Sequence, residues 1–377
     1  PSAQLSLAVT YRCNLNCPVC YAKANEINIA DLVIENLSND IVNKINEYPI
    51  VFLTGGEPTV RGDLPEIINR FKKAGKKVIM FSNGLKLSNL NYTKKLKKVG
   101  LDCVMLQFDA LDDAEYQYIR GKKLLATKMR ALDNLQKCHL TVYLCSVILR
   151  NRGLGQMKRI FDFARQYPVI KNVSVNLLWR LGRYNENDFV PTSQILTRAS
   201  KINQLTNFDW LESTRLLCGM DKLISMFNSK RRRLFCKCNL KCLMLYYKGR
   251  AIPITKIFDT REINRRIEDF YKRRSYVRLC MFLAYFLGSQ LIGNLFWNKN
   301  FRFLLRKMFC NMLYLLRRKF NLFIPLDVIT IGTFPTLTNL DFDFIEKCNF
   351  NAISSEDFGF EPGCIHRIKA LKKRGEN

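Results

Sequence analysis

Three thiols within eight residues, Cys13-Asn-Leu-Asn-Cys17-Pro-Val-Cys20, constrain this chain more than any other stretch. They follow Leu5, Leu7 and Val9 alternating with Ser6, Ala8 and Thr10, a period-two run that reads as a strand. Three is the informative number. A structural zinc site wants four ligands, whereas an iron–sulfur cluster held by three thiolates leaves one iron open to something else. A zinc knuckle with a distant fourth ligand, or unrelated buried thiols, stand as the alternatives at this point.

The chain has 377 residues, room for one large domain with an appendage or for two domains with cores of their own. Its formal charge of +29 implies a polyanionic partner: nucleic acid, an anionic membrane surface or a phosphorylated substrate. Part of that excess reflects a sequence rich in lysine throughout. Fourteen cysteines without a recognisable secretory signal read as metal-bound thiols in a reducing cytoplasm. Only His139 and His366 are present, which argues against a His-rich metal site or His-based catalysis. The sequence opens at Pro1 rather than Met, with the expectation that an N-terminal piece is missing.

The first half alternates strands and helices. Strands are expected at 5–10, 50–54, 77–82, 103–108, 141–149 and 173–179, apolar enough to be buried on both faces. Helices are expected at 41–47, 64–74, 92–99, 124–137 and 155–167, each with an apolar stripe opposite Lys and Arg. Six such units fit an open, partial barrel of α/β class, in which chemistry gathers on the loops after the strand C-termini. The unusual residues fall there: the cysteine loop, Thr54-Gly55-Gly56-Glu57-Pro58, Ser82-Asn83-Gly84 and Gln107-Phe108-Asp109. In the second of these, two glycines permit close approach of the backbone to a ligand, Glu57 can orient an ammonium, and Pro58 fixes the exit.

The Cys-x3-Cys-x2-Cys loop with Tyr21, followed by Gly55-Gly56-Glu57-Pro58, resembles the radical S-adenosylmethionine (radical SAM) superfamily over roughly residues 5–185. The resemblance implies a partial (βα)6 TIM-like barrel in which Cys13, Cys17 and Cys20 hold a [4Fe–4S] cluster whose free iron binds S-adenosylmethionine. One-electron reduction, from an external donor such as ferredoxin or flavodoxin, would give a 5′-deoxyadenosyl radical that abstracts hydrogen from an unactivated C–H bond. It also implies that the 55–57 segment holds the methionine amino group, and that Ser82, Asn83, Gln107 and Asp109 are candidates for ribose and carboxylate contacts. The longer runs Phe52 to Pro65, Leu106-Gln107-Phe108-Asp109 and Tyr116 to Gly121 are similar to the archaeal tetraether lipid synthase branch, which couples saturated lipid tails and carries auxiliary clusters.

Four segments are expected: the barrel over 1–185, a cysteine region with a hairpin over 186–260, a basic amphipathic region over 261–324, and a C-terminal segment, 325–377, returning ligands. The resemblance places Cys218, Cys238, Cys242, Cys348 and Cys364 as candidate ligands of one or two auxiliary clusters; Cys236 is an extra thiol of open role, and a zinc ribbon is the alternative. Cys103, Cys138, Cys145, Cys280 and Cys310 read as packing residues. From Leu279 to Asn298 there is no charged residue, although Gly288-Ser289-Gln290 and Gly293-Asn294 interrupt the apolar run. From Phe301 to Phe320 apolar residues take one side of a helical wheel and arginines the other, as in a helix lying on an anionic membrane, or one packing on the barrel.

The expected function is therefore hydrogen abstraction from a membrane-lipid chain by an enzyme peripheral to the cytoplasmic membrane face, with anionic lipid as both substrate and surface. Radical modification of RNA or of a peptide is the second reading, and a non-catalytic iron–sulfur or zinc protein the third. Intact Cys13, Cys17, Cys20 and Glu57 weigh against the last.

Overall fold

The computed structural model describes residues 4–26, 31, 45, 48–150, 152–178, 182–227, 239–247, 250–273, 326–332, 350–353 and 361–362. Cys236, Cys238, Cys280, Cys310, Cys348 and Cys364, the uncharged run 279–298, the wheel of 301–320 and most of the helix expected at 41–47 lie outside these residues. The chain divides into two compact units, one formed by 1–198, 231–239 and 331–377, the other by 199–230 and 240–330.

The first unit is built on parallel strands in chain order: β1 (Gln4–Thr10), β2 (Ile50–Gly55), β3 (Lys77–Ser82), β4 (Cys103–Gln107), β5 (Thr141–Ile148) and β6 (Ile170–Leu177). Between them run α1 (Leu64–Lys73), α2 (Leu90–Lys98), α3 (Asp113–Arg120), α4 (Leu125–Lys137) and α5 (Gln156–Ala164). Six parallel strands with helical crossovers form the open α/β architecture the alternation called for. The helix α3 was not among the expected elements. It is short, capped by Asp112 on the Glu115 amide, and ended by left-handed Gly121 at φ 76°.

The two faces of the sheet differ. Alternate residues Leu5, Leu7, Val51, Leu53, Val78, Met80, Val104, Leu106, Val142 and Leu144 are wholly buried. On the other face Phe52, Ile79 and Cys103 form an apolar layer, against which the partly buried Ile50, Phe81, Met105 and Tyr143 pack. The expectation of strands sealed on both faces thus holds for one face, while the other stays partly open, as an unclosed barrel requires. A strand from the C-terminal part of the chain, β10 (Phe350–Ile353), pairs in parallel with β1, and β11 (Glu361–Pro362) pairs antiparallel with β10.

The second unit contains α7 (Asn207–Phe227) and α8 (Thr260–Arg273), joined where Asn264 Nδ2 donates to Glu212 Oε2 at 2.8 Å, with Trp210 almost fully buried. The helix α6 (Thr192–Asn203) leads into it. The strands β7 (Asn239–Tyr247) and β8 (Arg250–Pro253) pair antiparallel, Tyr247 opposite Arg250, as the hairpin expected in this region requires. The strand β9 (Leu326–Gly332) neighbours β7.

Candidate active site

The cysteine loop leaves β1 and is fastened at both ends. At its start, the Gly56 amide donates to Thr10 O at 2.7 Å and the Glu57 amide to Arg12 O at 2.9 Å, so the chain after β2 continues to pair beyond the sheet. A Cβ on Gly55 would fall 2.0 Å from Thr10 O, and one on Gly56 2.3 Å from Arg12 O. The close approach that both glycines permit is therefore to the entrance of the cysteine loop itself. At its far end Cys20 and Arg183 exchange main-chain hydrogen bonds of 2.9 and 3.0 Å, and Arg183 Nε donates to Cys17 O at 2.9 Å. Asn25, at φ 72°, closes the loop from within: its Oδ1 accepts from the Cys13 amide at 2.7 Å and its Nδ2 donates to Leu15 O at 3.1 Å.

Cys13, Cys17 and Cys20 are free, partly buried thiols. Cys13 and Cys17 pack against the apolar cluster of Leu15, Tyr116 and Leu124. Burial pushes the Cys13 thiol up to about 11, although the Leu15 amide, 3.4 Å from its sulfur, opposes the rise. Burial also raises Cys17, and there the opposing charge is the Arg120 guanidinium. Both sulfurs are thus costly to ionise alone and already faced by donors suited to thiolates. Among the described residues, no three of His, Cys, Asp and Glu converge on a single metal-ion position. Three thiols spread along one loop, with N–H donors aimed at sulfur, suit a cluster held by three thiolates.

Behind the loop lies a buried polar network. Glu57 is 1% exposed. Its carboxylate accepts from Thr59 Oγ1 at 2.6 Å, Thr59 N at 3.2 Å, Ser82 Oγ at 2.9 Å and Asn83 N at 2.6 Å. Burial raises its pKa above the usual carboxylate range, and these donors oppose the rise. The side chain that the sequence reading gave to an ammonium is here committed to joining the ends of β2 and β3; what the segment leaves to a ligand is its main chain. Pro58 is buried in the short helical turn that follows. Asn83 extends Nδ2 to Asn14 Oδ1 at 2.7 Å and to Cys13 Sγ at 3.9 Å, so the β3 exit touches the cysteine loop directly. Tyr21 is 40% exposed, beside the last thiol.

Asp109 is fully buried and receives Arg120 Nε at 2.8 Å, Arg120 Nη2 at 2.9 Å, the Val147 amide at 3.0 Å and Gln107 Nε2. Its oxygens are filled by the protein, so its place in this arrangement is to hold Arg120 under the loop. Burial disfavours the Arg120 cation, but the charge of Asp109 outweighs it and raises the guanidinium. Arg120 also reaches Val19 O at 3.4 Å.

Two residues of this network carried no role in the sequence reading, Arg120 and Lys128. Lys128 is wholly buried on α4, donating to Asn83 O, to Gln107 O at 3.0 Å and to Gln107 Oε1 at 2.6 Å. Burial pushes its ammonium down to about 7 against the opposing charge of Asp109. A lysine on an amphipathic helix reads as solvated, and Arg120 entered only as part of the run Tyr116 to Gly121, without a role of its own.

Beside the loop is an open cleft of about 880 Å³, lined by Pro18, Val19, Tyr118, Arg152, Tyr184 and Asp188 among others. The Arg152 guanidinium lies 4.5 Å from the Tyr118 ring centroid, and Tyr118 Oη donates to Asp188 at 3.0 Å. Of the residues assigned to auxiliary clusters, two are described, both in the second unit. Cys218 lies on α7, partly buried. Cys242 is fully buried against Met244 Sδ at 3.5 Å and near Ser213 Oγ at 3.9 Å, and burial pushes its thiol up to about 12.

Comparison with known proteins places this geometry. The chain is 35% identical over 190 residues to 7,8-dihydro-6-hydroxymethylpterin dimethyltransferase of Methanocaldococcus jannaschii, covering 48% of this chain and 37% of that protein. It is 35% identical over 164 residues to a probable GTP 3′,8-cyclase of Sulfurisphaera tokodaii, covering 42% and 51%, and 29% identical over 163 residues to Fe-coproporphyrin III synthase of Methanosarcina barkeri, covering 43% and 40%. The chain thus spans about half or less of the length of these relatives. Streptococcus suis SuiB bound to S-adenosylmethionine is similar in structure at a TM-score of 0.46 and 15% identity, over 53% of this chain and 47% of SuiB. The Radical SAM superfamily profile matches residues 7–164, from β1 to the end of α5, so this part of the chain is similar to enzymes that use a [4Fe–4S] cluster and S-adenosylmethionine.

Proposed function

We propose that the chain is a radical SAM enzyme that abstracts hydrogen from an unactivated C–H bond of a membrane-lipid chain and leads to C–C coupling or a related change, in the manner of the tetraether lipid synthases. Cys13, Cys17 and Cys20 would hold the cluster, and main-chain oxygens of 55–57, whose Gly56 and Glu57 amides already pair with the loop entrance, would hold the amino group of S-adenosylmethionine. When bound, these groups supply the one-electron chemistry that turns S-adenosylmethionine into a carbon radical. The chain's own residues fix the loop through Thr10, Arg12 and Arg183 and place Arg120 and Asn83 beside the sulfurs. An external one-electron donor, ferredoxin or flavodoxin, is the partner this chemistry calls for.

The observation that carries the lipid reading is the partly open face of the sheet. Across β3 to β5 it carries Ile79, Phe81, Cys103, Met105, Gln107, Thr141, Tyr143, Cys145 and Val147, with Lys77 at the start of β3 and the Lys128 ammonium on Gln107 as its cations. A mostly apolar face of that kind suits an alkyl chain. The charge of +29 and the amphipathic 301–320 segment add a surface for anionic headgroups. Among the described residues no helix is long and apolar enough to cross a membrane, so the segments that would meet lipid are sought outside them.

The relatives favour a second reading, a nitrogen heterocycle as substrate, since the three named above carry a pterin, GTP and an iron coproporphyrin in their names. Anaerobic incubation of the reconstituted chain with S-adenosylmethionine, a reductant and either diether phospholipid, a pterin or GTP separates the two. Lipid-dependent 5′-deoxyadenosine with coupled chains by mass spectrometry is the expected result; product with a heterocycle alone overturns the lipid reading, and no cleavage of S-adenosylmethionine under any condition overturns both.

A further inference from the structure

We infer that Lys128 is a positioning residue of the cluster site, holding Asn83 against the cysteine loop and placing a fixed buried cation behind it. The inference rests on reading Cys13, Cys17 and Cys20 as cluster ligands.

A lysine on a helix usually extends its charged end to water. Lys128 instead turns inward and is wholly buried. Its three acceptors are Asn83 O, Gln107 O and Gln107 Oε1, which occupy the three N–H bonds that only an ammonium has. The charge lies 5.7 Å from the centroid of the Tyr116 ring, a member of the apolar cluster with Leu15 and Leu124 against which Cys13 and Cys17 pack. None of the three acceptors carries a formal charge. The nearby carboxylates are occupied elsewhere: Asp109 by Arg120, Glu57 by Thr59, Ser82 and the Asn83 amide.

A buried ammonium without a contacting anion is costly, which is why burial draws Lys128 down to about 7; negative charge arriving nearby holds it protonated. A cluster held by Cys13, Cys17 and Cys20 would bring such charge to the loop whose thiols pack on the Leu15, Tyr116 and Leu124 group. The same ammonium fixes geometry. Asn83 gives its amide to Glu57 and its carbonyl to Lys128, so its backbone is gripped from both sides while Nδ2 faces Cys13 Sγ and Asn14. Removal of Lys128 therefore releases a residue that touches a ligand sulfur, and removes positive charge that favours the reduced cluster.

The test compares wild type, Lys128→Met and Lys128→Arg after anaerobic reconstitution, by iron and sulfide per chain, reduction midpoint from a spectroscopic titration, and S-adenosylmethionine affinity. The expected result is a full cluster in Lys128→Met with a more negative midpoint and at least several-fold weaker S-adenosylmethionine binding, and a midpoint restored toward wild type in Lys128→Arg. A full cluster in Lys128→Met with wild-type midpoint and affinity overturns the inference. Should Lys128→Met fail to fold or to load, Lys128→Gln and Lys128→Arg decide: an arginine midpoint nearer wild type than that of glutamine supports it, and equal displacement overturns it. A wild-type chain that takes up no cluster refutes the site reading beneath it, a result distinct from an unperturbed variant.

Discussion

Gly55→Ala probes the joint between the two motifs. Gly55 has φ 120°, outside the range of an alanine, and its added Cβ would fall 2.0 Å from the main-chain oxygen of Thr10. That oxygen cannot rotate away, because it accepts the Gly56 amide at 2.7 Å. Relief requires the β2 exit to move, with loss of the Gly56–Thr10 and Glu57–Arg12 hydrogen bonds. Backbone strain of about 1–3 kcal/mol and roughly 1 kcal/mol for each lost bond give a penalty of about 3–5 kcal/mol. Against a domain stability of about 5–15 kcal/mol, that is a large but survivable loss. Gly62→Ala is the control, since an added Cβ there meets no atom within 4 Å. Urea unfolding of the two variants, with iron counted after anaerobic reconstitution, measures both consequences. Gly55→Ala is expected to unfold at clearly lower urea and to load little iron, with Gly62→Ala near wild type. If Gly55→Ala unfolds with Gly62→Ala and loads a full cluster, the joint does not hold the loop and the reasoning fails.

Other substitutions test other parts of the site. Asp109→Asn leaves Arg120 buried without its counter-charge and is expected to cost about 3–5 kcal/mol by denaturant unfolding, whereas Asp109→Leu combined with Arg120→Met regains much of that loss. Cys17→Ala is expected to abolish both the cluster absorbance and cleavage of S-adenosylmethionine. Cys103→Ala, at a buried thiol in the apolar layer with Phe52 and Ile79, is expected to leave iron per chain unchanged while lowering stability by about 1–2 kcal/mol, as a small cavity does. Vesicle flotation with and without anionic lipid should show binding only to the anionic vesicles, weakening as salt rises.

Much of the barrel was legible because buried parallel strands have a strong local signature. Strand ends moved by one to three residues: β6 begins at Ile170 rather than Val173, and β4 stops at Gln107. The helix α3 escaped because its eight residues carry only Tyr116, Ile119 and Arg120 as buried positions, too few for a visible stripe. The candidate site was legible to the extent that its residues sit in motifs. Gly55, Gly56, Glu57, Ser82, Asn83, Gln107 and Asp109 all gather behind the cysteine loop, yet several do so by bonding to one another. A motif marks where a side chain is needed; it does not say whether its partner is a ligand or the chain itself.

The sequence alone determined the chemistry's address, because ligand type and spacing are local: three thiols after one strand and a Gly-Gly-Glu turn after the next. The tertiary structure alone decided how that address is supported. Glu57 and Asp109 face inward to four donors each, and Arg120 and Lys128 bring two cations beneath the loop from helices that begin about ninety residues or more after Cys20. Burial and charge compensation are properties of neighbours in space, and no window of sequence contains them.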